Sequence, residues 1–214
     1  MDTLATRLDA LLPQTQCRRC GFDGCLPYAE ALAAGATAVN RCPPGGLATI
    51  AALSEVLGTP VLPPDPALWP DAPQAALNAD RALLPTVAVI DEDVCIGCFK
   101  CVLACPVDAI VGAPKYLHAV IADDCSGCEL CLPPCPVDCI EMVPRAAALR
   151  PAEAMADRWR SLHRARKARL ARERESRDEA RRQRRGELLA TEAQGYDIAA
   201  AIARARSRKT FHPS

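Results

Sequence analysis

Apolar residues in the first sixty positions recur at helical rather than alternating spacing. Leu4, Leu8, Leu11 and Leu12 line one side of a helix predicted over 2–12, which Pro13 stops. A second helix is predicted from Leu26 to Ala34, with Gly35 as its stop, and a third from about Leu47 to Leu57, closed by Gly58. In the third, Leu47, Ile50, Ala51, Leu53, Ser54 and Leu57 share a side. From Thr59 to Pro85 the periodicity is lost, and prolines at 60, 63, 64, 66, 70, 73 and 85 predict a semi-rigid extended spacer. Between 86 and 144 the apolar runs are short and strand-like. Residues 151–207, rich in Ala, Arg and Glu, predict a long exposed helix.

The strand-like region is an internal repeat, TVAVIDEDVCIGCFKCVLACPVDAI followed by HAVIADDCSGCELCLPPCPVDCI. Each copy predicts a short strand, a cysteine loop, a helical turn and a second short strand. Cys95, Cys98, Cys101 and Cys105 read C-x2-C-x2-C-x3-C-P, and Cys125, Cys128, Cys131 and Cys135 repeat the spacing. Two-residue gaps let three thiolates converge from one loop on three irons of a cubane, and the fourth cysteine crosses to the other copy's cluster. This is the bacterial two-cluster ferredoxin design. One cluster is then expected on Cys95, Cys98, Cys101 and Cys135, the other on Cys125, Cys128, Cys131 and Cys105. Zinc sites normally pair two C-x2-C knuckles, so zinc fits this spacing poorly.

Cys17, Cys20, Cys25 and Cys42 form a further quartet, ended by Pro43. Their spacing suits either a cubane or structural zinc, and the neighbouring ferredoxin pattern favours the cubane. The thirteenth cysteine, Cys139, stands where the first copy has Ala109 and is read as a small core residue, with a ligand or redox role as the alternative. His118, His163 and His212 are isolated in sequence and are assigned to core or surface. Glycines 97, 112 and 127 would let backbone come close to sulfide. Asp91, Glu92, Asp93, Asp123, Asp124 and Glu129 give the loops an acidic surround, read either as lowering cluster potentials or as ordinary solvated surface.

Composition adds an asymmetry. The chain of 214 residues has no net charge, yet residues 1–144 carry 7 basic and 17 acidic side chains, and residues 145–214 carry 19 and 9. Only 4 % of the chain is aromatic, so a large core is not expected and clusters should contribute folding energy. No signal peptide and no apolar run of membrane-spanning length are visible, so the cysteines read as metal ligands in a cytoplasmic protein rather than as disulfides. In the basic tail Met155, Trp159 and Leu162 share one helix face. Three readings stand for the tail: a solvated helix or disordered segment, docking on an acidic partner or on the acidic half of this chain, and binding of anionic lipid or nucleic acid. The lack of aromatic interleaving and of a DNA-binding motif disfavours nucleic acid.

LPQTQCRRCGFDGCLPYAEAL with NRCPPGG, and CIGCFKCVLACPVDAIVG with CSGCELCLPPCPVDCIEMVP, closely resemble the B-type subunit of the Rnf/Rsx-type electron-transport complex over residues 9–144. The resemblance implies a cubane on Cys17, Cys20, Cys25 and Cys42 and two more on the eight ferredoxin cysteines, three [4Fe-4S] clusters in all. It also implies relay of electrons between soluble carriers and a membrane complex that couples electron flow to ion movement. The family's hydrophobic anchor does not open this sequence, and the Arg-rich tail lies outside the likeness.

The fold class expected is α+β. A small helical 4Fe-4S domain (1–58) and a Pro-rich linker (59–85) precede a ferredoxin-like 2[4Fe-4S] domain with short antiparallel strands (86–145) and an Arg-rich helical or disordered tail (146–214). The function expected is electron transfer, as an Rnf-type subunit of the B kind or a soluble derivative, peripheral on the cytoplasmic face of the inner membrane. The alternatives are a stand-alone ferredoxin donating to another reductase, or a nucleic-acid-binding protein with structural clusters. Redox proteins are the expected partners, with an acidic protein or anionic lipid for the tail. No catalytic residues and no small-molecule substrate site are evident, which makes the chain a carrier rather than an enzyme by itself.

Overall fold

A computed structural model of the chain describes residues 3–69, 86–145, 152–193 and 198–209. It divides into two units, Met1–Arg166 and Lys167–Ser214.

The first unit opens with α1 (Leu4–Ala10), α2 (Cys25–Ala33), a 3-10 turn at Pro43–Gly45 and α3 (Gly46–Leu57). Thr3 caps α1 by accepting the Thr6 N–H on its hydroxyl at 3.2 Å. Of the predicted stripes, Leu8, Leu12, Ile50 and Leu53 are buried in one cluster with Tyr28, Leu32, Cys20, Cys25 and Cys42, while Leu4 and Ala51 are exposed. Gly58 closes α3 in the left-handed region at φ 65°, a conformation that a side chain would strain. The proline-rich stretch does not run free at its start. Asn40 Nδ2 donates to the Pro63 carbonyl at 2.7 Å, Arg41 pairs with Asp65, and Trp69 packs on the helical cluster. Residues 70–85 of the expected spacer lie outside the described residues.

The repeat folds as two short antiparallel pairs. β1 (Thr86–Ile90) pairs with β4 (Ile140–Pro144), with Ala88 opposite Met142; β2 (Ile110–Val111) pairs with β3 (Ala119–Val120). The outer strands of the segment therefore close on each other, which fastens the second copy's end to the first copy's start. The first copy forms the expected helical turn, α4 (Lys100–Ala104). Its counterpart in the second copy forms turns instead, because Pro133 and Pro134 stand where the first copy has Leu103 and Ala104. Gly97 and Gly127, both at φ 66°, approach protein backbone: a Cβ would sit 2.7 Å from Tyr116 N and 2.6 Å from the Thr86 carbonyl. These close approaches are to protein backbone, whereas the approach expected at these glycines was to sulfide.

After a 3-10 turn at Ala152–Met155, α5 (Ala156–Ala193) begins within this unit. Met155 and Trp159 are buried in the ferredoxin-like core, with Leu162 packed against it. Full burial of an indole stabilises by about 3 kcal/mol on area grounds, so the first turns of the basic tail belong to the folded module. The remainder of α5 and α6 (Ile198–Lys209) form the second unit. From Lys167 to Ala190 nearly every side chain is exposed, as a face of Arg and Glu with few apolar residues requires.

Candidate metal centres

The N-terminal quartet is built by α2 and the loops before and after it. Cys25 is the first residue of α2, Cys17 and Cys20 lie in the preceding loop, and Cys42 precedes the Pro43 turn. Burial pushes the Cys25 thiol up to about 12, with the charges of Cys17, Asp9 and Cys20 adding to it. Cys42 is raised well above 9.0 by burial and then by the charges of Cys25, Cys17 and Cys20. All four sulfurs therefore share one electrostatic neighbourhood.

A buried polar chain supports this loop, and its members are site residues that the sequence pattern did not single out. Cys25 N–H donates to Gln16 Oε1 at 2.9 Å, Gln16 Nε2 donates to Gln14 Oε1 at 2.8 Å, and Gln14 Nε2 donates to Asp9 at 2.6 Å (carbonyl) and 3.0 Å (Oδ1). Arg160 of α5 closes the chain, its Nε 2.8 Å from Asp9 Oδ2. Gln14 and Gln16 take positive φ values of 58° and 57°, so the backbone is bent to aim both amides inward. Two glutamines at alternate positions before Cys17 were the available signal.

In the ferredoxin-like module, Cys105, Cys125, Cys128 and Cys131 line one cavity together with Ala88 and Met142. Burial pushes Cys128 and Cys131 up to about 12; the charges of Cys105 and Cys125 raise both, with that of Cys128 acting on Cys131 as well. Backbone amides face the sulfurs: Ala88 N–H donates to Cys125 Sγ at 3.5 Å and Ala109 N–H to Cys105 Sγ at 3.2 Å. Such donors stabilise thiolate, the form that a metal requires.

Around the other quartet, burial raises Cys101, aided by the charges of Cys98 and Cys95. Cys135 is the exception. Burial pushes its thiol up, but the amides of Val137, Cys139 and Asp138 and the Cys139 side chain outweigh it, and the net shift is downward. Cys139 is buried as expected, yet it is more than a space-filler: its Sγ lies 3.5 Å from Cys135 Sγ, and its thiol is pushed up to about 12 by burial, then by Cys135 and Cys95. His118 is also buried, but it is not isolated. Its Nδ1 lies 3.2 Å from Cys101 Sγ and 3.9 Å from Cys95 Sγ, because β3 passes beside the first copy's cysteine loop. Neither neighbour is visible in the local sequence around His118.

The modules touch at their cysteine loops. Ser126 Oγ donates to the Thr15 carbonyl at 2.9 Å, and Arg19 pairs with Glu129. The Cys17–Cys20 loop therefore adjoins the Cys125–Cys131 loop. Among the described residues, no group of three His, Cys, Asp or Glu side chains is spaced to hold a single metal ion.

Comparison with known proteins covers the same two cysteine-bearing segments. The family described as a 4Fe-4S dicluster domain matches residues 88–142, and a family described by an Fe-S cluster matches residues 12–44. A protein of Aliivibrio fischeri, named as the B-type subunit of an ion-translocating oxidoreductase complex, is 54% identical over 143 residues, 67% of each chain. The chain belongs to this family of B-type subunits. Relatives with the same name from Alkalilimnicola ehrlichii and Pseudomonas paraeruginosa are 54% and 57% identical, over 55% and 57% of this chain. The matched stretch spans 58% and 57% of those two relatives' own lengths. No solved structure matches. The chain is thus an iron–sulfur protein, and among its described residues no helix is long and apolar enough to cross a membrane.

Proposed function

We propose that this chain relays single electrons between redox proteins, as the B-type subunit of an ion-translocating oxidoreductase complex or a soluble derivative of one. It would carry three [4Fe-4S] clusters: on Cys17, Cys20, Cys25 and Cys42; on Cys125, Cys128, Cys131 and Cys105; and on Cys95, Cys98, Cys101 and Cys135. A cubane supplies reversible one-electron chemistry when bound. What supports that role is that Cys105, Cys125, Cys128 and Cys131 line one cavity and that backbone N–H groups donate to the Cys125 and Cys105 sulfurs.

The observation that carries the proposal is the joint between modules. Thr15 and Arg19 flank Cys17 and meet Ser126 and Glu129, which flank Cys125 and Cys128. This joint supports an order of the N-terminal quartet, then the Cys105–Cys125–Cys128–Cys131 quartet, then the quartet of Cys95, Cys98, Cys101 and Cys135. A carrier with its cysteine loops in sequence accepts at one end and delivers at the other. The protein would sit peripherally at the cytoplasmic face of the membrane, beside the redox subunits of the complex.

Anaerobic reconstitution followed by iron, sulfide and zinc analysis tests this. About 12 irons per chain are expected from three cubanes. About 8 irons with one zinc would make the Cys17–Cys42 centre structural and end the three-cluster relay. Co-purification with membrane redox subunits tests membership of the complex.

A further inference from the structure

The two copies of the repeat align with an offset of thirty positions, as Cys95 and Cys125 do. They differ where they meet cysteine sulfur. Ala88 and His118 are counterparts, and so are Ala109 and Cys139. Ala88 offers Cys125 only its backbone N–H, whereas His118 brings its ring nitrogen to 3.2 Å from Cys101 Sγ. Ala109 likewise gives Cys105 a backbone N–H, whereas Cys139 gives Cys135 both its backbone amide and a thiol 3.5 Å away. Both departures from symmetry are aimed at the same quartet.

The histidine is built in rather than incidental. Ala88 faces Met142 across β1 and β4, and the counterpart of Met142 is Gly112. A Cβ at Gly112 would collide with His118 Cδ2, so a large–small pair in one copy is exchanged for a small–large pair in the other. The Phe99 ring stands edge-on at 6.0 Å and completes the slot. His118 Nε2 is buried with no partner among the described residues, which leaves sulfur as the ring's polar neighbour. With Cys101 ligating a cluster as thiolate, which only accepts, the nitrogen facing it would carry the hydrogen.

Two features act the other way, and both are weaker. Ser126 lies near Cys128, but its one hydroxyl hydrogen goes to the Thr15 carbonyl. Asp123 and Asp124 are paired with Arg145 and Arg158, while Asp91, Glu92 and Asp93 are exposed and leave the first loop more negative. Exposed carboxylates are screened by water and salt. Donors in direct contact with sulfur, as His118 is with the buried Cys101, are screened far less.

We propose that His118 and Cys139 make the two ferredoxin centres unequal: their hydrogen bonds to Cys101, Cys95 and Cys135 raise the reduction potential of that quartet's cluster above its sister's. Hydrogen bonds to ligand sulfur stabilise the added electron of the reduced state. An electron entering from the N-terminal side would then come to rest at the far quartet, the exit of the relay. This rests on the reading that both quartets hold clusters.

The test is an anaerobic redox titration of the full-length reconstituted chain, followed by electron paramagnetic resonance. In the natural protein the two ferredoxin waves are expected apart. His118→Ala and Cys139→Ala, which install the sister copy's residues, should each move only the upper wave to lower potential, and the double variant should bring the waves together. His118→Asn, which keeps an N–H, should recover part of the separation. In the natural protein with 15N-labelled histidine, nitrogen hyperfine coupling is expected in the upper-potential signal alone, a readout that needs no variant to load. Unmoved waves in the double variant at full iron content, or no histidine coupling in either signal, would overturn the proposal. An iron assay before titration separates the two failures: a ferredoxin module without iron sinks the cluster reading itself.

Discussion

Arg160 and Asp9 meet across 151 residues, with Arg160 Nε 2.8 Å from an Asp9 carboxylate that is 2 % exposed. The pair connects the start of the basic tail with the glutamine chain that ends on the Cys25 amide. Arg164 reaches the same carboxylate only at 3.6 Å and is largely exposed, so it substitutes poorly. Removing Arg160 strands a buried charge, a change that costs about 3 kcal/mol or more. Arg160→Ala should lower the urea midpoint of the loaded chain and speed iron loss from the N-terminal centre before the ferredoxin centres. Equal rates of loss from all centres would contradict the connection.

Trp159 provides the apolar half of the same docking. It is 2 % exposed, lies under the Arg145 guanidinium at 5.9 Å and packs with Met155 in the ferredoxin-like core. Trp159→Ala should cost about 3–5 kcal/mol through the cavity it leaves. Leu188, 67 % exposed, is the control, and its change to Ala should stay within about 0.5 kcal/mol. Thermal unfolding of both variants under anaerobic conditions compares them.

Gly127 sits where a Cβ would lie 2.6 Å from the Thr86 carbonyl, at φ 66°. Gly127→Ala must therefore strain its own backbone and push β1 away. A loss of more than about 1 kcal/mol is expected. Gly35 has nothing within 4 Å of its Cβ position, so Gly35→Ala at φ 67° should show the conformational cost alone and fall less in melting temperature.

Metal loading should depend on pH with a definite sign. Burial pushes Cys25, Cys128 and Cys131 up to about 12, so the empty sites hold neutral thiols at pH 7. Each must release a proton to become a ligand, and iron affinity should rise between pH 6.5 and 8.5. The sign reverses for the cluster-free fold: folded values raised above 9.0 contribute stability that is complete below that pH and lost as pH climbs toward about 12. Chelator competition at two pH values checks the first statement, and circular dichroism of the iron-free chain at pH 8 and 10.5 checks the second.

Much of the local architecture was legible in one dimension. Leu8, Ile50 and Leu53 fell on buried faces because a helix of 3.6 residues per turn aligns them whatever lies beyond. Gly58 ended its helix because only glycine takes that turn without strain. The cysteine quartets were legible for a similar reason, since the spacing of ligands in one loop is a local property. The docking of Met155 and Trp159 was only half legible. Their shared helix face was visible, but the acidic residues that receive the helix, Asp9, Asp108 and Asp124, come from three separate segments.

The sequence by itself determined the kind of chemistry, because thiolates at these intervals suit iron–sulfur clusters and the repeat dictates two interlocked halves. Only the tertiary structure decided how those halves differ and what adjoins them. His118 reaches Cys101, Cys139 reaches Cys135 and Thr15 meets Ser126 through strand pairing and loop packing across long stretches of chain. Such contacts have no periodicity to announce them, and they exist only once the chain has closed on itself.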